Sequence, residues 1–180
     1  MYPFVRMIKE FVVHRNAPQL ALTDTHVSRH VCWPWDIDLW LELNNGRSLT
    51  LYDLGRIPLA GRVGLIRTLR RERWSLTMAG VSVRWRHRVS PFERVEMHSR
   101  CVGWDHRFVY LEQSMWKRDG RCASQALYRS AVTDRNGIVD PQRVIEALGH
   151  DQPSPPLPGW VGAWIEADAT RPWPPAKAAA

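Results

Sequence analysis

Between residues 74 and 134 the chain runs through four strand-like segments in series: "WSLTMAGVSVRWRHRVS", "ERVEMHSRCVGWD", "RFVYLEQSMWKRD" and "RCASQALYRSAVTD". This run limits the possible folds more than any other feature. Short connections between strands demand antiparallel neighbours. "RDGR" at 118–121 holds Asp119-Gly120, a strong two-residue hairpin signal. Gly103-Trp104-Asp105-His106 marks a second turn. Strands linked this way form one sheet, and its apolar face needs a cover.

The cover lies upstream. "NGRSLTLYDLGRIPLAGRVGLIRTLRRE" places Leu49, Tyr52, Leu54 and Ile57 at helical intervals. Asn44 or Asn45 suits its N-cap. Pro58 predicts an interruption, with a second helical piece from Val63 to Arg71. Before it, "THVSRHVCW" alternates as a strand. His26, Ser28 and His30 share one face, and Val27, Arg29 and Val31 the other. Pro34 ends that strand. "DPQRVIEALGH" reads as a helix capped by Asp140 and stopped by Gly149. The order predicts an α+β fold, a curved antiparallel sheet wrapped around a long central helix.

Three regions follow: 1–24, a helix and linker; 25–150, the domain; and 151–180, a Pro/Trp-rich tail expected to be disordered or loosely docked. In the first, "YPFVRMIKEFVVHR" is amphipathic, with Phe4, Ile8, Phe11 and Val12 along one side. The expectation is that this side packs on the domain. The second reading is peripheral contact with anionic lipid. The formal charge is +7, and the acidic tail leaves +8 on residues 1–150. Such an excess attracts nucleic acid, anionic membrane or phosphorylated small molecules. No nucleic-acid partner is expected, because Trp and Arg alternate on opposite faces of "RWRHR" and no zinc-finger or RNP-like pattern occurs. Cys32, Cys101 and Cys122 show no CxxC spacing and read as small buried hydrophobes. With no secretory leader and no apolar run long enough to span a bilayer, a cytoplasmic location is expected. The seven His lack metal-ligand spacing, so no metal site and no cofactor are expected.

The stretch that carries chemistry is "CWPWDIDLWLELNNGR" at 32–47. Its "DIDLWLELNN" resembles the hotdog-fold thioesterases, in the branch whose pattern Asp-x-Asp-x-Asn-x-His-x-Asn-Asn precedes the central helix. "WPWDIDLWLELNNGRSLTLYDLGR" also resembles thioesterase-like proteins related to an animal family of uncertain activity. The resemblance runs from Thr25 to Leu148, and Asp36, Asp38, Asn44 and Asn45 match the pattern. Trp40 stands in place of the pattern's Asn, Glu42 in place of its His, and Ser48 in place of a common aromatic residue.

The resemblance implies hydrolysis of an acyl thioester of coenzyme A or of an acyl-carrier protein. It also implies a homodimer, sometimes a tetramer, with sites at the subunit boundary. By position Asp38 is the carboxylate acting as base or nucleophile. Glu42 offers a second acid/base, and Asp36 reads as structural. Asn44, Asn45 and Gly46 occupy the helix start, whose amides serve as oxyanion donors. Trp33, Trp35 and Trp40 either line an acyl channel or pack the loop on the sheet. On a strand, Arg84, Arg86 and Arg88 share one face suited to coenzyme A phosphates. A non-hydrolytic acyl-binding protein is the first alternative, and a basic nucleic-acid or membrane adaptor the second.

Overall fold

The computed structural model describes residues 2–177. After α1 (Phe4–His14) come β1 (His26–Val31), a 3-10 turn (Pro34–Asp36), α2 (Asn45–Arg62) and α3 (Leu65–Glu72). Next are β2 (Ser75–Trp85), β3 (Arg94–Trp104), β4 (Val109–Lys117) and β5 (Cys122–Asp134). The short β6 (Gly137–Ile138), α4 (Pro141–Ala147) and α5 (Gly159–Ala169) complete the chain. All pairings are antiparallel, in the order β1-β3-β4-β5-β2, with β6 added on β5. The curved sheet wraps around α2, which is the hotdog architecture. None of the described helices is long and apolar enough to cross a membrane.

Helix α2 begins where Asn44 caps it: the Asn44 side chain accepts from the Arg47 amide at 2.9 Å. Leu51, Tyr52 and Leu54 pack with Met97, Met115 and Ala126 in the main core. Gly55 permits this close approach. A Cβ there would lie 2.8 Å from Met97 Sδ, and closer still to Ser99 Oγ. Pro58 does not break the helix, contrary to the sequence expectation. It removes one hydrogen bond, but it is buried amid a face already held by the sheet, and the helix runs on to Arg62, where Val63 closes it by donating to Leu59. The second helical piece is α3, following Gly64 in the left-handed conformation.

Two turns differ in detail from the expectation. β3 continues through Trp104 with a bulge at Cys101/Gly103, so the turn centres on Asp105, which accepts from the amides of Arg107 and Phe108. β2 ends at Trp85, and the amides of Arg86 and His87 both donate to the Ala123 carbonyl. Arg86 and Arg88 therefore lie beyond the strand, and the expected three-arginine strand face does not form. The tail is docked at α5, where Val161 is buried against Tyr110 and Leu127. Arg129 pairs with Asp168 to fix that helix.

The N-terminal helix reverses its expected orientation. Phe4, Ile8, Phe11 and Val12 face solvent, while Met7 and Glu10 are buried. The reason is the free edge of β1. Arg6 donates to the Val31 carbonyl at 2.8 Å, and Lys9 to the Arg29 carbonyl at 3.1 Å. These are edge carbonyls that β3 does not reach, so the cations must point at the sheet. Glu10 completes the seat, 2.5 Å from Lys9 Nζ and 3.4 Å from His14 Nε2. The inward face of β1 is polar: His26, Ser28 and His30 are all buried, and Ser28 Oγ lies 2.8 Å from His30 Nε2.

Burial is the main cause holding both histidines neutral. It pushes His30 down to about 3, helped by Lys9 and Arg6, and His26 down to about 4, helped by His14 and Arg62. The 3.6 Å approach of His30 to Glu10 is therefore not an ion pair at neutral pH. Depressed histidines contribute stability that is complete above the unfolded value, about 6.5, and is lost as pH falls below it. Thermal unfolding should thus show the midpoint dropping between pH 7 and pH 5, and His30→Gln should flatten that slope.

Candidate active site

The loop from Cys32 to Asn44 is organised by one buried carboxylate. Asp36 accepts from Arg6 Nη1 at 2.6 Å, Arg47 Nε at 2.6 Å and the Trp33 amide at 3.0 Å. Its carbonyl accepts from the Asn44 amide at 2.9 Å. The residue is fully buried. Burial alone would raise its pKa, but the donors from Arg47, Trp33 and Arg6 outweigh it, and the group is held below the ordinary carboxylate range. Asp36 thus ties α1, the loop and the start of α2 together, the structural role read from the sequence.

Beyond Asp36 the chain makes a narrow hairpin, bridged between Ile37 and Leu43. The Asp38 amide donates to the Glu42 carbonyl at 2.9 Å, and Asp38 Oδ1 accepts from the Trp40 amide at 2.9 Å. Leu41 closes the turn in the left-handed region, with φ of 57°. Asp38, half-buried, is therefore a turn-forming carboxylate in this chain. Leu39, Trp40 and Leu41 stand exposed at the tip. Trp33 stacks on Trp35 with ring centres 5.3 Å apart, also at the surface. Trp33 also meets Phe92 edge to face at 6.1 Å, on the turn that leads into β3.

A cleft of about 180 Å³ opens where α2 begins. Glu42 and Asn45 line it on one side, Trp85, Arg86, His87 and Arg88 on another, with Ser124 from β5. Glu42 Oε2 pairs with Arg88 Nε at 2.8 Å. The amides of Asn45 and Gly46 lie in the first helical turn, ahead of the intrahelical ladder. Asp38, Asn44 and Arg84 do not line this cleft, and Asn44 serves as the cap of α2. Sequence reading missed Ser48, Trp85, His87 and Ser124 as parts of one site. Ser48 Oγ donates to the Asn45 carbonyl at 2.6 Å and accepts from Trp85 Nε1 at 3.1 Å, tying the end of β2 to the helix start. The replacement of the usual aromatic residue by Ser48 was the one available signal.

A second space of about 290 Å³ lies between α2, α3, α4 and the sheet. Ile57, Ile66, Met78, Leu111, Val132 and Ile145 make it apolar, and Asp53 and Arg56 mark its polar side. Arg56 is held by Asp53 and by Gln113 at 3.1 Å, and its guanidinium lies 4.1 Å from the Tyr128 ring centre. Among the described residues no group of three or more His, Cys, Asp and Glu side chains is placed to hold a metal ion.

The curved sheet wrapped around α2 defines a hotdog fold. Residues 32–165 match the Thioesterase-like superfamily, and the chain belongs to that family. It is 25% identical over 148 residues to Protein THEM6 of Drosophila melanogaster, spanning 81% of this chain and 75% of that protein. Among solved structures it is similar to YbaW, a probable thioesterase from Escherichia coli, at 12% identity and a TM-score of 0.64. That match covers 68% of this chain and 96% of YbaW. It is likewise similar to SAV2348 of Staphylococcus aureus, solved in complex with CoA, at 12% identity and a TM-score of 0.61. There 80% of this chain and 96% of SAV2348 are covered.

Replacing Asp36 by Asn leaves Arg6 and Arg47 facing a neutral amide. Both arginines are partly exposed, so the loss should fall near the low end for a broken buried pair, about 3 kcal/mol. Denaturant titration of D36N measures it. In the wild type the Asp36 contribution is complete above the ordinary aspartate range, near pH 4, and is lost as pH falls below it. D36N should lack that acid limb.

Proposed function

We propose that the protein hydrolyses an acyl thioester of coenzyme A or of an acyl-carrier protein to a free acid and a thiol. The carrying observation is that one cleft joins the start of α2, the Glu42 carboxylate and two arginines. Asp38 holds the catalytic position by family pattern, but its carboxylate caps a turn. The geometry favours Glu42 as the base, with Asp38 shaping the hairpin that presents it.

In this reading a water oxygen attacks the thioester carbonyl carbon while Glu42 takes its proton. The carbonyl oxygen becomes an oxyanion held by the amides of Asn45 and Gly46, whose charge is favoured by the α2 dipole. Collapse breaks the C–S bond, and the departing sulfur takes the proton from Glu42. Arg86 and Arg88 suit phosphate groups of coenzyme A or of a carrier-protein arm. An incoming phosphate would compete with Glu42 for Arg88 and so release the base. SAV2348 in complex with CoA supports coenzyme A as the thiol carrier. The apolar space beneath α2 suits an acyl chain.

The subunit boundary is proposed at β2, a long strand at the end of the sheet with no further neighbour among the described residues. Pairing of two β2 edges would remove their free backbone groups. It would also place a second chain beside Trp85 and Arg88, walling the cleft. Light scattering on the purified protein should give the mass of a dimer or a dimer of dimers; a monomer would argue against this boundary.

Glu42→Gln should lower kcat by about 100-fold or more with a smaller change in KM, measured by free-thiol release. Asp38→Asn retains an oxygen for the Trp40 amide and should cost less than about tenfold, because general-base loss alone produces the larger effect. If D38N is inactive and E42Q active, the base is the family-position aspartate. The non-catalytic acyl-binding reading, favoured by the engagement of Asp38 in its turn and Glu42 with Arg88, requires binding without turnover.

A further inference from the structure

Helix α1 carries its apolar face outward. Phe4 is 66% exposed, Val5 81%, Ile8 61%, Phe11 45% and Val12 60%. They form a continuous stripe, because residues three and four apart on a helix are neighbours. A helix packed on a globular domain shows the opposite arrangement. This orientation is not loose. It is fixed by Arg6 and Lys9 on the β1 edge, by Arg6 on Asp36, and by buried Glu10. The apolar stripe therefore needs an occupant from outside this chain.

We infer that the outward stripe of α1 docks the protein on an anionic lipid surface. Two observations favour lipid over a second copy. The stripe runs about 16 Å along an 11-residue helix. It offers the five side chains named above, against about 20–30 residues a side in a stable protein interface. The sheet order also separates it from the proposed β2 boundary, since α1 sits on β1, the opposite end of the sheet. A dimer closed at β2 leaves both α1 stripes free. Charge agrees with lipid: the net charge is +7, and Arg15 at the end of the helix is exposed. A bulky apolar helix face on a net-basic chain suits the headgroup boundary, where the helix lies in the plane without crossing.

The test is co-sedimentation of the full chain with vesicles of phosphatidylglycerol and phosphatidylcholine, compared with phosphatidylcholine alone. The wild type should pellet with the anionic vesicles and much less with the neutral ones. Phe4→Gln/Ile8→Gln/Phe11→Gln should weaken partitioning by at least about tenfold, with circular dichroism and the unfolding midpoint unchanged. Ile8→Gln alone, read the same way with a smaller loss, serves if the triple variant misfolds. Wild type remaining in the supernatant overturns the inference, as does equal binding by wild type and variant. Loss of oligomer mass in the triple variant, without vesicle binding by the wild type, overturns it too and gives the stripe to a second copy. The docking surface is independent of the hydrolytic reading, because vesicle binding is measured without turnover.

Discussion

The buried carboxylate of Asp36, gripped by Arg6 and Arg47, is the interaction on which the rest of the structure depends. It draws one cation from α1 and one from α2, and fixes the loop between them. Its backbone carbonyl then holds the Asn44 amide, where α2 begins. The hairpin that presents Glu42 grows directly from this anchor. A buried pair of this kind is weak evidence for net stability, since desolvation offsets much of the attraction. Its value lies in placing three segments with one group.

The same economy explains the inverted helix. An edge strand exposes carbonyls that must find donors. Arg6 and Lys9 supply them to β1, and Arg6 reaches Asp36 as well. Satisfying the edge and the loop turns the cations inward and the phenylalanines outward. The buried polar face of β1, with two neutral histidines, belongs to this seat.

Much of the fold was legible in the sequence. Alternation and the Asp119-Gly120 turn read out the meander, and the Asn44-Asn45 pair and Asp140 read out two helix starts, because capping and turn chemistry are local. Pro58 misled, since its local penalty is overridden by a helix face packed against the sheet. The α1 orientation was also illegible: the apolar stripe was visible, but the competing demand of the β1 edge is a tertiary fact. In the site, Asp36 read correctly as structural. The three-arginine face did not form, because the strand ended at Trp85. The link from Ser48 to Trp85 needed two segments 37 residues apart to meet.

The most direct measurement is free-thiol release from a panel of acyl-coenzyme A thioesters of increasing chain length, using the folded wild-type protein. The account predicts turnover on at least one member, lost when Glu42 is replaced by Gln. Absence of turnover across the whole panel and on an acyl-carrier-protein thioester would contradict it.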